Sequence, residues 1–280
     1  MSWFLEPWSL PFMRWALVCC LVLAGVHAYL GFHVVRRGVL FVDLAMAQMA
    51  ALGAAVGVVF GLEHGTTASY VISLSFALAG SVVFATLRSR VLHQETLIAI
   101  FYAIATALTF VVLEHSPHGM DEVKHLFVGQ VLTVDPSKVL WTALLYSAIG
   151  LVLARLNKRL LAVTEGRERG RGKLDLVFYG AFAVVVTSSV SLVGVLLVFG
   201  LLVLPSVAAL LLPGRDGSRL AWGWIFAGLG CLGGLHAAYH LDQPASPIIV
   251  VCLAVLLVGA AVLGRLRSGR GDLAEEISSR

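Results

Sequence analysis

The sequence predicts an all-α, polytopic membrane protein, and three observations support this prediction. Of the 280 residues, 59% are hydrophobic and 13% are charged, with a mean hydropathy of +0.92, whereas soluble domains are about 45–50% apolar. The apolar residues fall into runs of about 20, the length that an α-helix needs to cross a hydrocarbon core about 30 Å thick. Basic residues cluster in alternate loops between these runs. We therefore expect residues 1–280 to form a single transmembrane domain.

Nine membrane-spanning helices follow one another along the chain in this interpretation. They are residues 12–34, 39–61, 66–87, 94–113, 138–156, 174–190, 192–212, 220–240 and 246–264. The sixth and seventh are separated because the apolar stretch 175–212, interrupted by Thr187-Ser188-Ser189 and Ser191, is almost twice as long as one crossing requires. Eight spans with one re-entrant piece are the alternative. The first run shows no small-residue cleavage site, so we expect it to stay in the mature protein.

Lysines and arginines set the predicted orientation, because basic residues in short loops stay on the cytoplasmic side. In chain order, the loops after the odd-numbered spans hold Arg36 and Arg37, Arg88 and Arg90, the cluster 155–173, Arg215 and Arg219, and the C-terminal arginines. The other loops hold only Arg14, Lys124 and Lys138. We therefore expect the N-terminus outside and the C-terminus in the cytoplasm. The net charge of +4 then reflects topology and not nucleic-acid binding.

Asp43 is the carboxylate that falls inside an apolar run, in the second predicted span. A charged side chain in hydrocarbon costs roughly 2.5–3.5 kcal/mol by insertion scales, so it normally faces a partner, an ion or water. Asp43 is therefore the first candidate for a site that handles cations. It lies only about 9 Å along the helix from Arg36-Arg37, and the alternative is that it reaches interfacial water or Arg37.

Histidines and carboxylates gather on the predicted outer side, and both are ligands of divalent transition metals. His236 and His240 are spaced i,i+4, which places them on one helical face, with Asp242 just beyond the helix end. These three residues form a second candidate metal site. The loop 114–122 is a candidate vestibule that gathers cations, and its candidate residues are His115, His118, Asp121 and Glu122. Alternatively, these polar residues are simply tolerated at the membrane interface.

The longest charged stretch is the cytoplasmic segment 157–173. Its first part is predicted to form a short helix and its Gly/Arg repeat to be flexible. It is the candidate docking surface for a cytoplasmic partner, through Lys158, Arg159, Glu165, Gly166 and Arg167. Alternatively, it only anchors the chain to anionic lipid. The phosphate-binding loop, HExxH and GxSxG signatures are all absent from the sequence, which favours a transport subunit over an enzyme.

Four stretches carry a family resemblance. They are Arg36-Arg37 with Asp43 and Leu52-Gly53, the stretch 125–132, the stretch 193–209 and the stretch 239–250. In this order they resemble the zinc/manganese (ABC-3) family of ABC importer permeases. The resemblance implies a type II ABC importer fold and a role as the permease subunit of an ATP-driven importer of divalent transition metal ions, with zinc or manganese as cargo. It implies no permanently bound cofactor.

The same resemblance implies partners and a location. The permease would be a homodimer in the bacterial inner membrane, surrounded by lipid. A separate cytoplasmic ATP-binding subunit would hydrolyse ATP, and a periplasmic or lipid-anchored metal-binding protein would deliver the metal outside. Segment 157–173 occupies the place where the family carries the coupling helix that docks on the ATPase.

The sequence departs from the family pattern in the second span, where the family has Asp and His four residues apart. Asp43 matches the Asp, but Ala47 or Gln48 stands where His is expected. Gln48 is then the candidate second ligand, and its neutral oxygen binds zinc less well than imidazole does. Asp43 and Gln48 are about 140° apart on a regular helix, so they share a face only if the helix is locally irregular.

Two other hypotheses stay open at this point. One is an ion-coupled secondary transporter of cations, in which titration of Asp43 drives uptake without ATP. The other is an intramembrane enzyme or structural subunit, in which Asp43 only hydrogen-bonds neighbouring helices.

Overall fold

Helices make up almost all of the chain that the computed structural model describes, namely residues 2–62, 66–86, 93–114, 128–165, 172–212 and 214–278, with side chains from Leu5 to Arg265. The elements are α1 (Ser2–Ser9), α2 (Pro11–Arg37), α3 (Val42–Val59), α4 (Thr67–Thr86), α5 (Gln94–Leu113), a 3₁₀ turn (Val131–Thr133), α6 (Pro136–Thr164), α7 (Lys173–Leu210), α8 (Asp216–Leu241) and α9 (Ala245–Ser278). Within these ranges there is no strand, and the eight helices α2 to α9 are long and apolar enough to cross a membrane. The predicted all-α membrane class is confirmed.

The centre of the bundle consists of α2, α3 and α7, most of whose residues are buried, whereas only about a fifth of α5, α6 and α9 is buried. Small side chains permit this close packing. A Cβ atom added at Gly53 of α3 would lie 2.8 Å from the Cα atom of Ser73 in α4, so the two helices approach almost backbone to backbone. The exposed faces of the peripheral helices are apolar, as expected for surfaces that lie in hydrocarbon.

The two ends of the bundle carry different side chains. At the end that we call the arginine end, Arg36 of α2 pairs with Asp216 at the start of α8, with Nη1 and Oδ2 3.0 Å apart. At the opposite end, which we call the histidine end, Trp8 of α1 stacks on His236 near the end of α8. Between them the Trp224 indole donates to the backbone carbonyl of residue 25 in α2 over 2.9 Å. Helices α2 and α8 are therefore antiparallel neighbours along their whole lengths.

Helix α7 contains two crossings joined at Gly194, whose φ of 80° and ψ of 162° are not helical. A straight helix of 38 residues would be about 57 Å long. However, Asp175 near its start and Asp216 six residues beyond its end both bond to arginines at the end of α2. At the histidine end, the Ser246 hydroxyl donates to the Val193 carbonyl over 3.2 Å. The chain therefore runs from the arginine end to the histidine end as far as residue 193, and it returns to the arginine end from residue 195.

The structure adjusts two of the predicted span boundaries. Spans 174–190 and 192–212 are joined in α7, which ends at Leu210, and the break falls at Gly194 rather than at Ser191 because glycine tolerates the positive φ. The fifth predicted span, 138–156, continues to Thr164. Residues 157–164 are therefore the last part of α6 and not a separate short helix, since their Leu, Lys and Arg residues are good helix formers.

Candidate functional site

Asp43 lies in the first turn of α3 and is fully buried. The chain reaches α3 through a tight turn at Gly38, which has a φ of 66°. Neither carboxylate oxygen of Asp43 has a hydrogen-bond partner among the described residues. The positive end of the helix dipole favours a negative charge here, but an unpaired buried carboxylate is still costly. The position therefore suits a cation or a proton as its partner. The alternative contact with Arg37 is not formed, since that arginine bonds elsewhere.

Gln48, the other candidate ligand on α3, is also buried, and its Nε2 atom has no hydrogen-bond partner within the described ranges. Helix α3 is continuous from Val42 to Val59. On a continuous helix the side chains of Asp43 and Gln48 leave the axis about 140° apart. The local irregularity that would bring them to one face is not present.

The histidine end brings together the predicted imidazole pair. The ring centroids of His236 and His240 are 4.6 Å apart. The indole of Trp8 stacks on His236, and Tyr239 packs edge-on against His240. Asp242 caps α8 in the left-handed conformation, with a φ of 51°, and is exposed. The i,i+4 spacing thus produced the expected neighbours.

The five candidate ligands nevertheless belong to two separate places. Asp43 begins α3 just after the arginine end, whereas His236 lies 20 residues along α8 from Asp216, or about 30 Å away along the axis. In the part of the chain that the structure describes, no three His, Cys, Asp or Glu residues come close enough together to hold a metal ion.

The predicted docking and vestibule residues are described only in part. Lys158 and Arg159 are exposed on the last turns of α6. Glu165 follows α6, and its Oε1 atom lies 3.5 Å from Nη1 of Arg36. The remaining predicted residues, Gly166, Arg167, His115, His118, Asp121 and Glu122, lie outside the described residues.

Two buried histidines of α2 were missed by sequence reasoning. His27 and His33 are both fully buried. His27 Nδ1 lies 2.8 Å from the Leu23 carbonyl, so it is the donor, and its Nε2 atom carries the lone pair. His33 Nδ1 lies 2.8 Å from the Thr164 hydroxyl. The signal that could have found them is the one that found Asp43, a polar side chain inside an apolar run.

A polar cluster connects α6 to the first crossing of α7, which ends at residue 193. The Tyr146 hydroxyl donates to the Val185 carbonyl over 2.9 Å and bonds to the hydroxyls of Ser188 and Ser189. The ring of His27 lies 6.4 Å from that of Tyr146, centroid to centroid. Ser188 and Ser189, which interrupt the apolar stretch, are therefore partners of a buried tyrosine in the neighbouring helix.

Known proteins resemble this chain over almost its whole length. A sequence profile of the ABC 3 transport family matches residues 9–264. A Thermotoga maritima protein named "Probable metal transport system membrane protein" is 28% identical, over 90% of this chain and 89% of its own. Two Haemophilus influenzae proteins also match. One, named "Probable iron transport system membrane protein", is 21% identical over 91% of each chain. The other, the high-affinity zinc uptake system membrane protein ZnuB, is 24% identical over 87% of this chain and 94% of its own.

A solved structure shares the fold. PsaBC from Streptococcus pneumoniae, determined in complex with a Fab, superposes with a TM-score of 0.73 over 92% of this chain and 94% of the matched chain. The two sequences are 20% identical over this superposition. The helix arrangement described above is thus one that a solved structure shares.

Proposed function

Because this chain belongs to the ABC 3 transport family, as the sequence resemblance predicts, we propose that it forms the pathway of an ATP-driven importer for divalent transition metal ions, zinc or manganese. It is a membrane permease subunit and not itself an enzyme. ATP hydrolysis then belongs to a separate cytoplasmic subunit, and a metal-binding protein outside the membrane delivers the ion.

The observation that carries this proposal is the buried, unpartnered carboxylate of Asp43. A carboxylate can remain buried only if a cation or a proton neutralises it at some stage. In a transport protein whose relatives are named for metal uptake, the cation is the cargo. Asp43 is then a metal ligand on the pathway, and Gln48 contributes at most a neutral oxygen from another face of α3.

The donor groups available suit zinc and manganese, the two ions that we propose as cargo. Imidazole and carboxylate suit zinc, and carboxylate with neutral oxygen suits manganese. The relatives carry both zinc and iron in their names, so family membership leaves this choice to the residues. His236, His240 and Asp242, with the predicted vestibule of His115, His118, Asp121 and Glu122, would receive the ion at the histidine end.

Orientation and partners follow from the two ends of the bundle. We place the arginine end in the cytoplasm of a bacterial inner membrane, where Lys158, Arg159 and the segment after Glu165 would contact the ATPase. The exposed apolar faces of the peripheral helices would meet lipid and, in a homodimer, a second copy of the chain.

The test is ATP-dependent uptake in proteoliposomes that contain the permease with the ATPase that co-purifies with it. We expect Asp43→Asn to lower Zn(II) or Mn(II) uptake about tenfold or more, since even an outer-shell partner of a metal contributes that much to affinity. The matched control is Asp135→Asn, the same change at an exposed helix N-cap, a position that asparagine also favours.

Three results would count against the proposal. Normal uptake by Asp43→Asn would remove Asp43 from the pathway. Uptake driven by a proton gradient without ATP would favour the secondary transporter. Faster uptake of Fe(II) than of either Zn(II) or Mn(II) would overturn the metal assignment.

A further inference from the structure

One residue of α2 contacts the segment that we propose to dock on the ATPase and the helix that follows it. Arg37, the last residue of α2, bonds to Thr164 at the end of α6 and to Asp175 at the start of α7. Thr164 lies within the docking segment 157–173, and Asp175 lies two residues after its end. We call Arg37, Thr164, Asp175 and His33 the arginine clasp.

The bonds of the clasp are shielded from water. Arg37 donates from Nε to the Thr164 hydroxyl over 3.1 Å and from Nη1 to Asp175 Oδ1 over 3.1 Å. Its guanidinium carbon lies 4.2 Å from the ring centroid of Phe178. The side chains of Arg37 and Asp175 are 9% and 3% exposed. In such surroundings an ion pair is weakly screened and its geometry is tightly defined.

Thr164 extends the clasp into the core. Because Arg37 donates to the Thr164 oxygen, the threonine hydroxyl proton is available for Nδ1 of His33, 2.8 Å away. The His33 ring is itself packed edge-on against Tyr29, Phe32 and Phe178. A displacement of the end of α6 therefore acts on a fixed imidazole one turn inside α2.

The connection from the clasp to Asp43 is equally short. After Arg37 the chain turns at Gly38, and the Val39 amide bonds back to the Val34 carbonyl over 3.2 Å. The Val42 amide then bonds to the Val39 carbonyl over 3.1 Å, and α3 begins. A short, hydrogen-bonded turn therefore joins the end of α2 to Asp43, the candidate metal ligand.

We propose that the arginine clasp couples the ATPase to the metal pathway. Its members are positioning residues, which transmit movement of the docking segment through α2 to the first turn of α3. The inference rests on the proposed function. The neighbouring Arg36 has half-exposed partners, Glu165 and Asp216, and is not part of the coupling.

The test compares Thr164→Val with Thr164→Ser in the permease–ATPase complex in proteoliposomes. Valine keeps the shape and removes the hydroxyl, whereas serine keeps the hydroxyl. We expect Thr164→Val to hydrolyse ATP but to move about tenfold less Zn(II) or Mn(II) per ATP, within the range of ordinary coupling between sites. Thr164→Ser should stay close to wild type. Ser206→Ala is the matched control, because Ser206 is a buried hydroxyl against α2 that bonds to the Ala28 carbonyl and not to the clasp.

A second measurement does not depend on the ion. Phe41, the N-cap of α3, is 44% exposed, and Phe41→Cys can be labelled with a water-soluble maleimide. We expect ATP to change the labelling rate in the wild-type background and with Thr164→Ser, but not with Thr164→Val. Equal coupling and equal ATP response in the valine and serine variants would overturn the proposal, even if valine lowered the yield of folded protein. A wild-type complex that carried neither ion would refute the proposed function, and the labelling result would still decide the role of the clasp.

Discussion

The arginine end and the histidine end are held together by different interactions. At the arginine end, α2 is tied to α6, α7 and α8 through ion pairs and hydrogen bonds to Thr164, Glu165, Asp175 and Asp216. At the histidine end, the contacts include ring packing around His236 and hydroxyl bonds such as the one from Ser246 to the Val193 carbonyl.

This difference indicates that the two ends have different roles. Directional bonds between several helices transmit displacement, because each bond fixes both distance and angle. Ring contacts are less directional and tolerate rearrangement. The arginine end thus suits a part that converts movement of a partner into movement of the core, and the histidine end suits a part that receives an ion from outside.

Replacement of Arg37 is expected to have the largest effect on stability. Arg37→Met should cost about 3–5 kcal/mol of unfolding free energy, because it leaves a buried Asp175 charge without this partner. Arg36→Met should cost about 0–1 kcal/mol, since the partners of Arg36 are partly hydrated. Denaturant unfolding in one detergent measures both values. Equal losses for the two arginines would show that the clasp is not the rigid part of this end.

Gly129 tests whether the histidine end also contains a rigid joint. Its φ is 65°, and a Cβ atom there would collide with the backbone of Val193 and Gly194, where α7 reverses. Gly129→Ala should therefore cost about 1–3 kcal/mol through overpacking and strain. Gly25→Ala is the control, because a Cβ atom there meets nothing within 4 Å. Thermal unfolding that leaves Gly129→Ala as stable as Gly25→Ala would contradict the tight contact.

The smallest expected effect concerns Asp135, the N-cap of α6 at the histidine end. The Ser137 backbone amide and hydroxyl donate to its carboxylate over 2.8 Å each, and these bonds lower the pKa of Asp135. The folded state therefore favours the ionised form, and this stabilisation is present above the ordinary pKa of about 4. It is lost as the pH falls through the lower folded value.

The measurement is thermal unfolding of wild type and Asp135→Asn between neutral and acidic pH. The difference between them should shrink below about pH 4, where the wild-type carboxylate begins to protonate. A difference that stays constant over this range would exclude the carboxylate as its source.

Local sequence signals predicted the helices well, because length and apolarity alone decide whether a segment can cross a membrane. The same signals placed His236 beside His240, since four residues are about one helical turn. The position of the reversal in α7 was three residues off, because serine and glycine both interrupt an apolar run and only glycine accepts the required φ.

Pairings between distant segments were not predictable in this way. The sequence allowed Asp43 to reach Arg37, six residues away, but the guanidinium bonds to Asp175, which is 138 residues away along the chain. His27 and His33 were not predicted, because the candidate histidines were those on the predicted outer side. A single sequence shows which residues are costly to bury, and the tertiary structure decides which of them meet.

The reversal at Gly194 also decides whether the number of membrane crossings is even or odd. Counting helices gives eight crossings, an even number, which would put α1 and the end of α9 in the same compartment. With α7 crossing twice the number is odd, and the two lie on opposite faces, as the pairing of Glu6 with Tyr239 and the packing of Gly264 against Leu211 require. Reporter fusions at the two termini should therefore give opposite signals, even though the described residues contain eight long apolar helices.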